Sequence, residues 1–177
     1  MSEGPIVEMH TLAQLRSAFD RSFSVPAQSR ENRESVIQIR VGGEVFAVRA
    51  GHIAGLVKSR KIVPLPSRIP ELLGVAALRG SLIPVYDLAA LLGISPGVSG
   101  PSWLMLVPCD TPIGLAFDGF EGQQEPEWLS GEQSARQHVR QLVRIGPAVR
   151  AVLDIPGLAE TIRKRAGLVE PAKERQR

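Results

Sequence analysis

The 177-residue chain has few of the residues from which metal and redox centres are built. Cys109 is its only cysteine, so no disulfide can form within the chain. The three histidines, His10, His52 and His138, are widely separated and lack the spacing of a zinc site. We therefore expect no metal and no cofactor, and a structural or solvated role for each of these residues.

Long hydrophobic runs are also absent from the sequence. No segment approaches the roughly 18 consecutive apolar residues of a membrane span, and the opening MSEGPIVEMH lacks the basic and apolar regions of a secretory signal. The sequence therefore predicts a cytoplasmic protein without direct insertion into a membrane. Hydrophobic residues make up 44% of the chain, which suffices for the core of one domain or of two small ones.

Motifs of common enzyme classes are missing, among them the GxxxxGK phosphate loop and the HExxH zinc motif. Asp87 and Asp154 are the acids nearest to apolar strands, and a carboxylate pair is one arrangement for acid–base chemistry. Each, however, precedes a short apolar helix, where an aspartate oxygen accepts the first free N–H groups. We therefore predict both as structural caps, expect no catalytic residue, and conclude that the protein is not an enzyme.

Charge is unevenly distributed, although the net charge is only +3. Residues 40–79 contain seven basic and two acidic residues, whereas residues 110–132 contain six acidic residues and no lysine or arginine. The acidic stretch would repel a phosphate backbone, and aromatic residues, which stack on bases, are only 5% of the chain. The pattern argues against nucleic acid as a partner.

Polar segments divide the chain into parts. Residues 1–34 are predicted as an N-terminal extension with one amphipathic helix, which either packs on its own domain or docks onto a partner. The apolar residues of this helix recur at helical spacing: Leu12, Leu15, Phe19 and Phe23. Residues 35–160 form the main domain, divided near residues 93–102 by GISPGVSGPS, and residues 161–177 are a basic helix end and tail.

Alternation of apolar and polar residues predicts antiparallel strand pairs in the main domain. VIQIRV and EVFAVRA flank Gly42-Gly43, GVAAL and SLIPVYD flank Arg79-Gly80, and IVPLP, with two prolines, suits an edge strand. The second half repeats this order more weakly, and a shift of 67 residues places Asp87 on Asp154. The sequence therefore predicts a mainly β fold of two small barrel-like halves, with short helices after strands and at the C-terminus.

The stretch GVAALRGSLIPVYDLAALLG, with the opening strand pair and IVPLPSRIPELLGV, resembles the CheW-like domain of bacterial chemotaxis coupling proteins. The likeness is close over residues 36–93. It is looser beyond Gly100, where IGLAFDGF and VRAVLDIPGLAETI resemble a later strand and the closing strand and helix of the family. Two features depart from the family: Ala77 replaces its usual asparagine, and residues 121–137 form a shorter, more acidic connection.

This resemblance implies two SH3-like β-barrel subdomains around a shared core, without catalytic activity. It implies an adaptor that couples the cytoplasmic helical tip of a chemoreceptor to the regulatory domain of a histidine kinase, recruited to membrane receptor arrays. It implies that the exposed part of the hairpin in residues 74–94 offers a groove to a receptor helix. It places Ile53 and Leu56 on the side of that groove, and Leu78 and Arg79 at the turn near both partners. Core packing of Ile53 and Leu56, and a hydrogen-bonding clamp at Arg79, are the alternatives for these residues.

Other functions stay open at this point. An adaptor of a pilus-linked or other chemosensory pathway that has lost one partner surface is one alternative, and an SH3-like nucleic-acid-binding module is another. If such proteins assemble in rings, each subunit meets its neighbours through two different surfaces. A basic first half and an acidic second half would then favour head-to-tail encounter.

Overall fold

The computed structural model describes residues 35–58, 61–78, 80–98, 100–129 and 136–167. The chain divides into two units, Met1–Arg33 and Glu34–Arg177, and the described residues all belong to the second. The predicted N-terminal helix, Arg79 and the tail beyond Gly167 lie outside the described residues. Within them, no helix is both long and apolar enough to cross a membrane.

The described residues form twelve strands and two α-helices. The strands are β1 (Val36–Val41), β2 (Glu44–Arg49), β3 (Gly55–Lys58), β4 (Ile62–Val63), β5 (Leu72–Leu78), β6 (Ser81–Asp87), β7 (Trp103–Val107), β8 (Ile113–Phe117), β9 (Gly119–Gln124), β10 (Glu127–Trp128), β11 (Val139–Ile145) and β12 (Ala148–Leu153). Helix α1 (Leu88–Leu91) follows β6, α2 (Ile155–Arg165) follows β12, and Ala50–His52 form a 3₁₀ turn. Sheet A has the order β10-β11-β12-β2-β1-β9, and sheet B has the order β3-β7-β8-β6-β5-β4.

The predicted hairpins form around their predicted turns. β1 pairs with β2 up to Val41 opposite Glu44, and the intervening Gly42 and Gly43 have φ of 58° and 89°, which glycine adopts without a side-chain penalty. β5 pairs with β6 across the turn that contains Gly80. β4, which Pro64 and Pro66 follow, is an edge strand of sheet B, as predicted for IVPLP.

The two sheets do not correspond to the two halves of the sequence. Sheet A contains β1 and β2 of the first half together with β9 to β12 of the second half. Sheet B contains β3 to β6 of the first half together with β7 and β8 of the second half. Four strand pairs join the two halves: β1 with β9 and β3 with β7 are antiparallel, whereas β2 with β12 and β6 with β8 are parallel. In the parallel pairs, Val152 lies opposite Ala47 and Val85 lies opposite Gly114. A shift of 67 residues places Val85 on Val152 and Ala47 on Gly114, so the internal repeat forms the same parallel pairing once in each sheet. Each half of the sequence therefore contributes strands to both sheets. Residues 93–102 therefore divide the sequence but not the sheets.

The core consists of one large cluster and two small ones. The large cluster takes buried residues from both sheets and both helices, among them Ile39, Phe117 and Leu158. A smaller cluster around Val143 belongs to sheet A, and one around Ile83 belongs to sheet B. The large cluster joins both sheets, as the shared core implied by the family resemblance would; the small core in each sheet was not predicted.

Sequence patterning did not indicate β3, β10 and most of β9. β9 lies in the acidic stretch, and its glycine-rich, polar sequence is typical of a connection rather than of a strand. It is nevertheless ordered as a strand because its backbone pairs with β1, from Val36 opposite Gln124 to Arg40 opposite Gly119. Tertiary pairing thus overrides a weak local preference.

Candidate partner-binding surfaces

Asp87 and Asp154 stand at the start of the two helices. Asp87 Oδ1 accepts a hydrogen bond from the N–H of Ala89 at 2.9 Å, in the first turn of α1. Asp154 Oδ1 accepts from the N–H of Gly157 at 3.2 Å, and its Oδ2 accepts from Arg140 Nε at 2.6 Å. Asp87 is the last residue of β6 in sheet B, and Asp154 directly follows β12 of sheet A. Each caps its own helix, so both side chains stabilise helices.

Two half-buried histidines, His52 and His138, interact electrostatically with Asp154. Burial lowers the pKa of both below the usual 6.5, and Arg49 lowers the pKa of His52 further, whereas Asp154 opposes the shift at both sites. Among the residues that the structure describes, Nδ1 of His52 has no hydrogen-bond partner. In the same part of the chain, no group of three or more His, Cys, Asp or Glu side chains is placed to hold a metal ion.

We expect the free energy of unfolding to fall as the pH drops from about 7.5 to about 5.5. Because folding lowers the pKa of His52 and His138, the unfolded chain binds more protons below about pH 6.5, which favours unfolding. The stability that depends on these two histidines being neutral is fully present above about pH 6.5 and is lost as the pH falls toward their folded-state pKa. Urea unfolding at both pH values measures it, and His52→Gln should reduce the difference. Equal stability at the two pH values would contradict the prediction.

Ile53 and Leu56, predicted beside a receptor groove, lie between the 3₁₀ turn and the middle of β3. Both are half-buried and pack against the large core cluster. Leu56 is paired with Met105 of β7, and β3 is an edge strand of sheet B. Each side chain therefore supports the core on one side while a part of its surface stays accessible at the sheet edge.

The hairpin of β5 and β6, whose exposed part the resemblance assigns to a receptor helix, forms an exposed apolar surface together with β4. Cross-strand pairing puts its members on one side of sheet B: Val63, Val75, Ala77, Leu82 and Pro84, which we call the β4–β6 face. Leu82 is 72% exposed and Val63 is 50% exposed, whereas Ala76 and Ile83, on the opposite side, are buried. In the sequence, nearly every position of the β5–β6 hairpin is apolar, whereas a strand with a single buried face needs apolar residues only at alternate positions.

Leu78, the last residue of β5, is half-buried and packs against the small core cluster of sheet B. Leu78 directly follows Ala77, a member of the β4–β6 face, so a partner bound to that face would lie close to the β5–β6 turn. Arg79, in this turn, lies outside the described residues, and its predicted contact stays a prediction.

A cavity of about 470 Å³ lies between the β1–β2 turn and the segment after α1. Its lining includes Phe46, Ser95 and the ion pair of Arg136 with Glu44, at 2.6 Å. Ser95 belongs to GISPG, which has the letters of the GxSxG motif of serine hydrolases and was overlooked in the sequence. That motif needs a turn from a strand into a helix, whereas GISPG follows α1, and no histidine is among the described lining residues. The serine is therefore not placed as a nucleophile.

Ion pairs within the chain involve part of the acidic stretch, residues 110–132. Glu121 pairs with Arg40 at 2.8 Å, and Glu127 pairs with Arg144 at 3.1 Å. Pairs as exposed as these add at most about 1 kcal/mol to stability. They do, however, join acids of the second half to basic residues of either half, and each sheet mixes the halves. Two oppositely charged faces therefore do not follow from the charge split along the sequence.

Comparison with known proteins gives a family profile described as CheW-like domain, which matches residues 35–163. Protein PilI of Pseudomonas aeruginosa is 31% identical over 103 residues, covering 56% of this chain and 58% of that protein. A probable chemotaxis protein CheW of Rhizobium etli is 32% identical over 75 residues, covering 42% of this chain and 48% of that protein. The chain thus spans about half the length of the curated relatives it matches.

The crystal structure of the scaffolding protein TtCheW from Thermoanaerobacter tengcongensis is similar in fold. It superposes with a TM-score of 0.59 at 19% identity, covering 68% of this chain and 88% of that chain. At this identity the likeness concerns the fold alone, and it confirms the predicted mainly β architecture of two SH3-like subdomains.

Proposed function

Because the chain belongs to the CheW-like domain family, we propose that it is a non-catalytic adaptor between a chemoreceptor and a histidine kinase. It binds the cytoplasmic helical tip of the receptor and the regulatory domain of a chemotaxis-type kinase, at membrane receptor arrays. The observation that carries this proposal is the family match over residues 35–163, which includes every strand of the two sheets described. The similarity to PilI favours a pilus-linked chemosensory pathway.

We assign the receptor to the accessible side of Ile53 and Leu56, at the edge strand β3, and both partners to the turn at Leu78 and Arg79. A helix that lies in an apolar groove is a common mode of peptide recognition, and half-buried residues at a sheet edge suit it. Asp87 and Asp154 serve as helix caps in this proposal and take no part in chemistry.

The tryptophans support protein partners over nucleic acid. Trp128 carries the guanidinium of Arg49 over its ring, at 4.1 Å from the ring centroid, and the Trp103 ring packs against Phe120 with centroids 5.6 Å apart. Base-stacking platforms need aromatic faces that a nucleotide can reach. Both rings are half-buried and already contact side chains of their own domain.

Titration calorimetry against the kinase regulatory domain and against the receptor tip, both from the same genome, tests this function. We expect micromolar binding, about −8 kcal/mol, and a loss of about thirty-fold, ~2 kcal/mol, for Arg79→Ala. Arg144→Ala is the matched control, because its exposed pair with Glu127 contributes little.

The outcomes separate the function from the role of Arg79. If neither partner binds the unaltered protein, the adaptor function is wrong. If Arg79→Ala and Arg144→Ala bind equally well, the adaptor function stands, and Arg79 holds neighbouring loops without touching a partner.

A further inference from the structure

The cavity between the β1–β2 turn and the segment after α1 has an apolar interior. Phe46 and Val139 belong to the large core cluster, and Leu92 and Ile94 pack against it. All four residues line the cavity. Its volume of about 470 Å³ lies within the range of small-molecule sites and is about three times that of an apolar cavity that holds benzene. The cavity therefore has room for a small molecule with an apolar side chain.

One wall of the cavity, residues 92–95, is held in place by the fold. The N–H of Ile94 donates to the carbonyl oxygen of Ala89 in α1, at 2.9 Å. On the other side of this segment, a Cβ atom at Gly42 would overlap with the side chain of Ile94 and the carbonyl oxygen of Ser95. The segment and the β1–β2 turn are therefore in direct contact. Because the wall is preformed, a ligand does not bear the entropy cost of ordering it.

Arg136 and Glu44 are the charged side chains among the described lining residues. Nη1 of Arg136 donates to Oε2 of Glu44 at 2.6 Å, and Arg136 and Glu44 are 60% and 47% exposed, so the pair lies on the solvent side of the cavity. A ligand with a single charge is attracted by one member of the pair and repelled by the other at a similar distance, and the two effects largely cancel.

A ligand that carries both charges interacts with this pair differently. The ammonium and carboxylate of an α-amino acid are joined through one carbon atom, so the two charges lie about as close together as those of Arg136 and Glu44. Such a zwitterion can lie antiparallel to the pair, with each of its charges beside the opposite charge of the protein. Both attractions then add, and the pair stays intact.

We propose that this cavity binds a small zwitterion with an apolar side chain, of the class of a free apolar amino acid. The side chain enters beside Phe46 and Ile94, the ammonium lies at Glu44, and the carboxylate lies at Arg136. The cavity opens at the start of β2, whereas Ile53 follows the end of that strand, and no lining residue belongs to the β4–β6 face. The site is thus separate from the assigned partner surfaces, and the inference goes beyond the proposed adaptor function.

The test uses the full chain and three compounds with the same phenyl group. Phenylalanine carries both charges, 3-phenylpropionate lacks the ammonium, and phenethylamine lacks the carboxylate. Titration of the ¹⁵N-labelled protein, followed by chemical shifts, should give a dissociation constant on the order of 1 mM for phenylalanine, as for a ligand of this size. The other two compounds should bind about ten-fold more weakly, because each keeps only one of the two attractions.

Two substitutions locate the site. Ser95→Trp places a large ring at a lining position and should weaken the binding of phenylalanine about ten-fold or more. Val98→Trp is the matched control, since Val98 is fully exposed on the same segment and does not line the cavity, and it should leave binding unchanged. Circular dichroism verifies that both variants fold.

Glu44→Gln tests the role of the charged pair without filling the cavity. With the carboxylate removed, the variant should bind 3-phenylpropionate about five-fold more tightly than the unaltered protein does, and phenylalanine more weakly. Equal binding of the three compounds, no binding of phenylalanine up to about 10 mM, or equal effects of Ser95→Trp and Val98→Trp would each overturn the inference. An unchanged preference in Glu44→Gln would overturn it as well.

Discussion

Replacing Gly74 by alanine is expected to destabilise the protein by about 4 kcal/mol. Gly74 lies in β5 with φ of 143°, next to the irregular pairing at Leu72. A Cβ atom at this position would lie 2.7 Å from the carbonyl carbon of Val63 and 2.9 Å from Cα of Pro64. Because both are backbone atoms, no rotamer change relieves the contact, and β4 must separate from β5. Urea unfolding measures the loss.

Gly122→Ala is the matched control for this prediction. Gly122, in β9, has nearly the same φ, 142°, but a Cβ atom added there would meet no heavy atom within 4 Å. The substitution should therefore cost only the backbone strain, about 1 kcal/mol. If the two variants lose the same stability, the close approach of β4 to Gly74 is not what requires glycine there.

Arg165→Ala is expected to lower the free energy of unfolding by about 3 kcal/mol. Glu71, directly before β5, is 8% exposed, and its Oε1 accepts a hydrogen bond from Arg165 Nη1 at the end of α2. Its Oε2 has no hydrogen-bond partner among the described residues. Removing Arg165 leaves a buried carboxylate without compensation, which costs more than the pair itself contributes.

A double-mutant cycle with Glu71→Gln shows whether the buried charge is the cause. Because glutamine carries no charge, the double variant should recover about half or more of the loss. Arg163→Ala is the control on the same helix turn, since the ion pair of Arg163 with the 90% exposed Asp110, at 3.5 Å, contributes little. Should Arg165→Ala and Arg163→Ala prove equally mild, the pair does not hold α2 to sheet B.

Local signals in the sequence predicted the hairpins and helix caps. Alternation and paired glycines define β1 and β2, and Asp87 and Asp154 precede apolar helices directly, so each prediction needed only a few neighbouring residues. The parallel pairing of β12 with β2 and of β6 with β8 joins distant segments, and no local pattern specifies it. Most of β9 was not predicted because its sequence is polar and rich in glycine.

The candidate surfaces were predicted less completely than the fold. Alternation shows that a strand has two sides, but in the β5–β6 hairpin both sides are apolar, and only the packed structure shows which one is covered. The exposed position of Leu82 is therefore a property of the tertiary fold. The pairing of Glu71 with Arg165 is likewise invisible in the sequence, because the two residues are 94 positions apart.

The exchange of strands between the two halves affects how the protein folds during synthesis. β2 acquires its parallel neighbour β12 only after roughly a hundred further residues have been synthesised. Until then, the emerging first half has neither sheet complete, and β2 exposes a strand edge that a chaperone can protect. For the same reason, we expect a chain cut between α1 and β7 to give two fragments that fold only when they are mixed, because each sheet contains strands from both fragments.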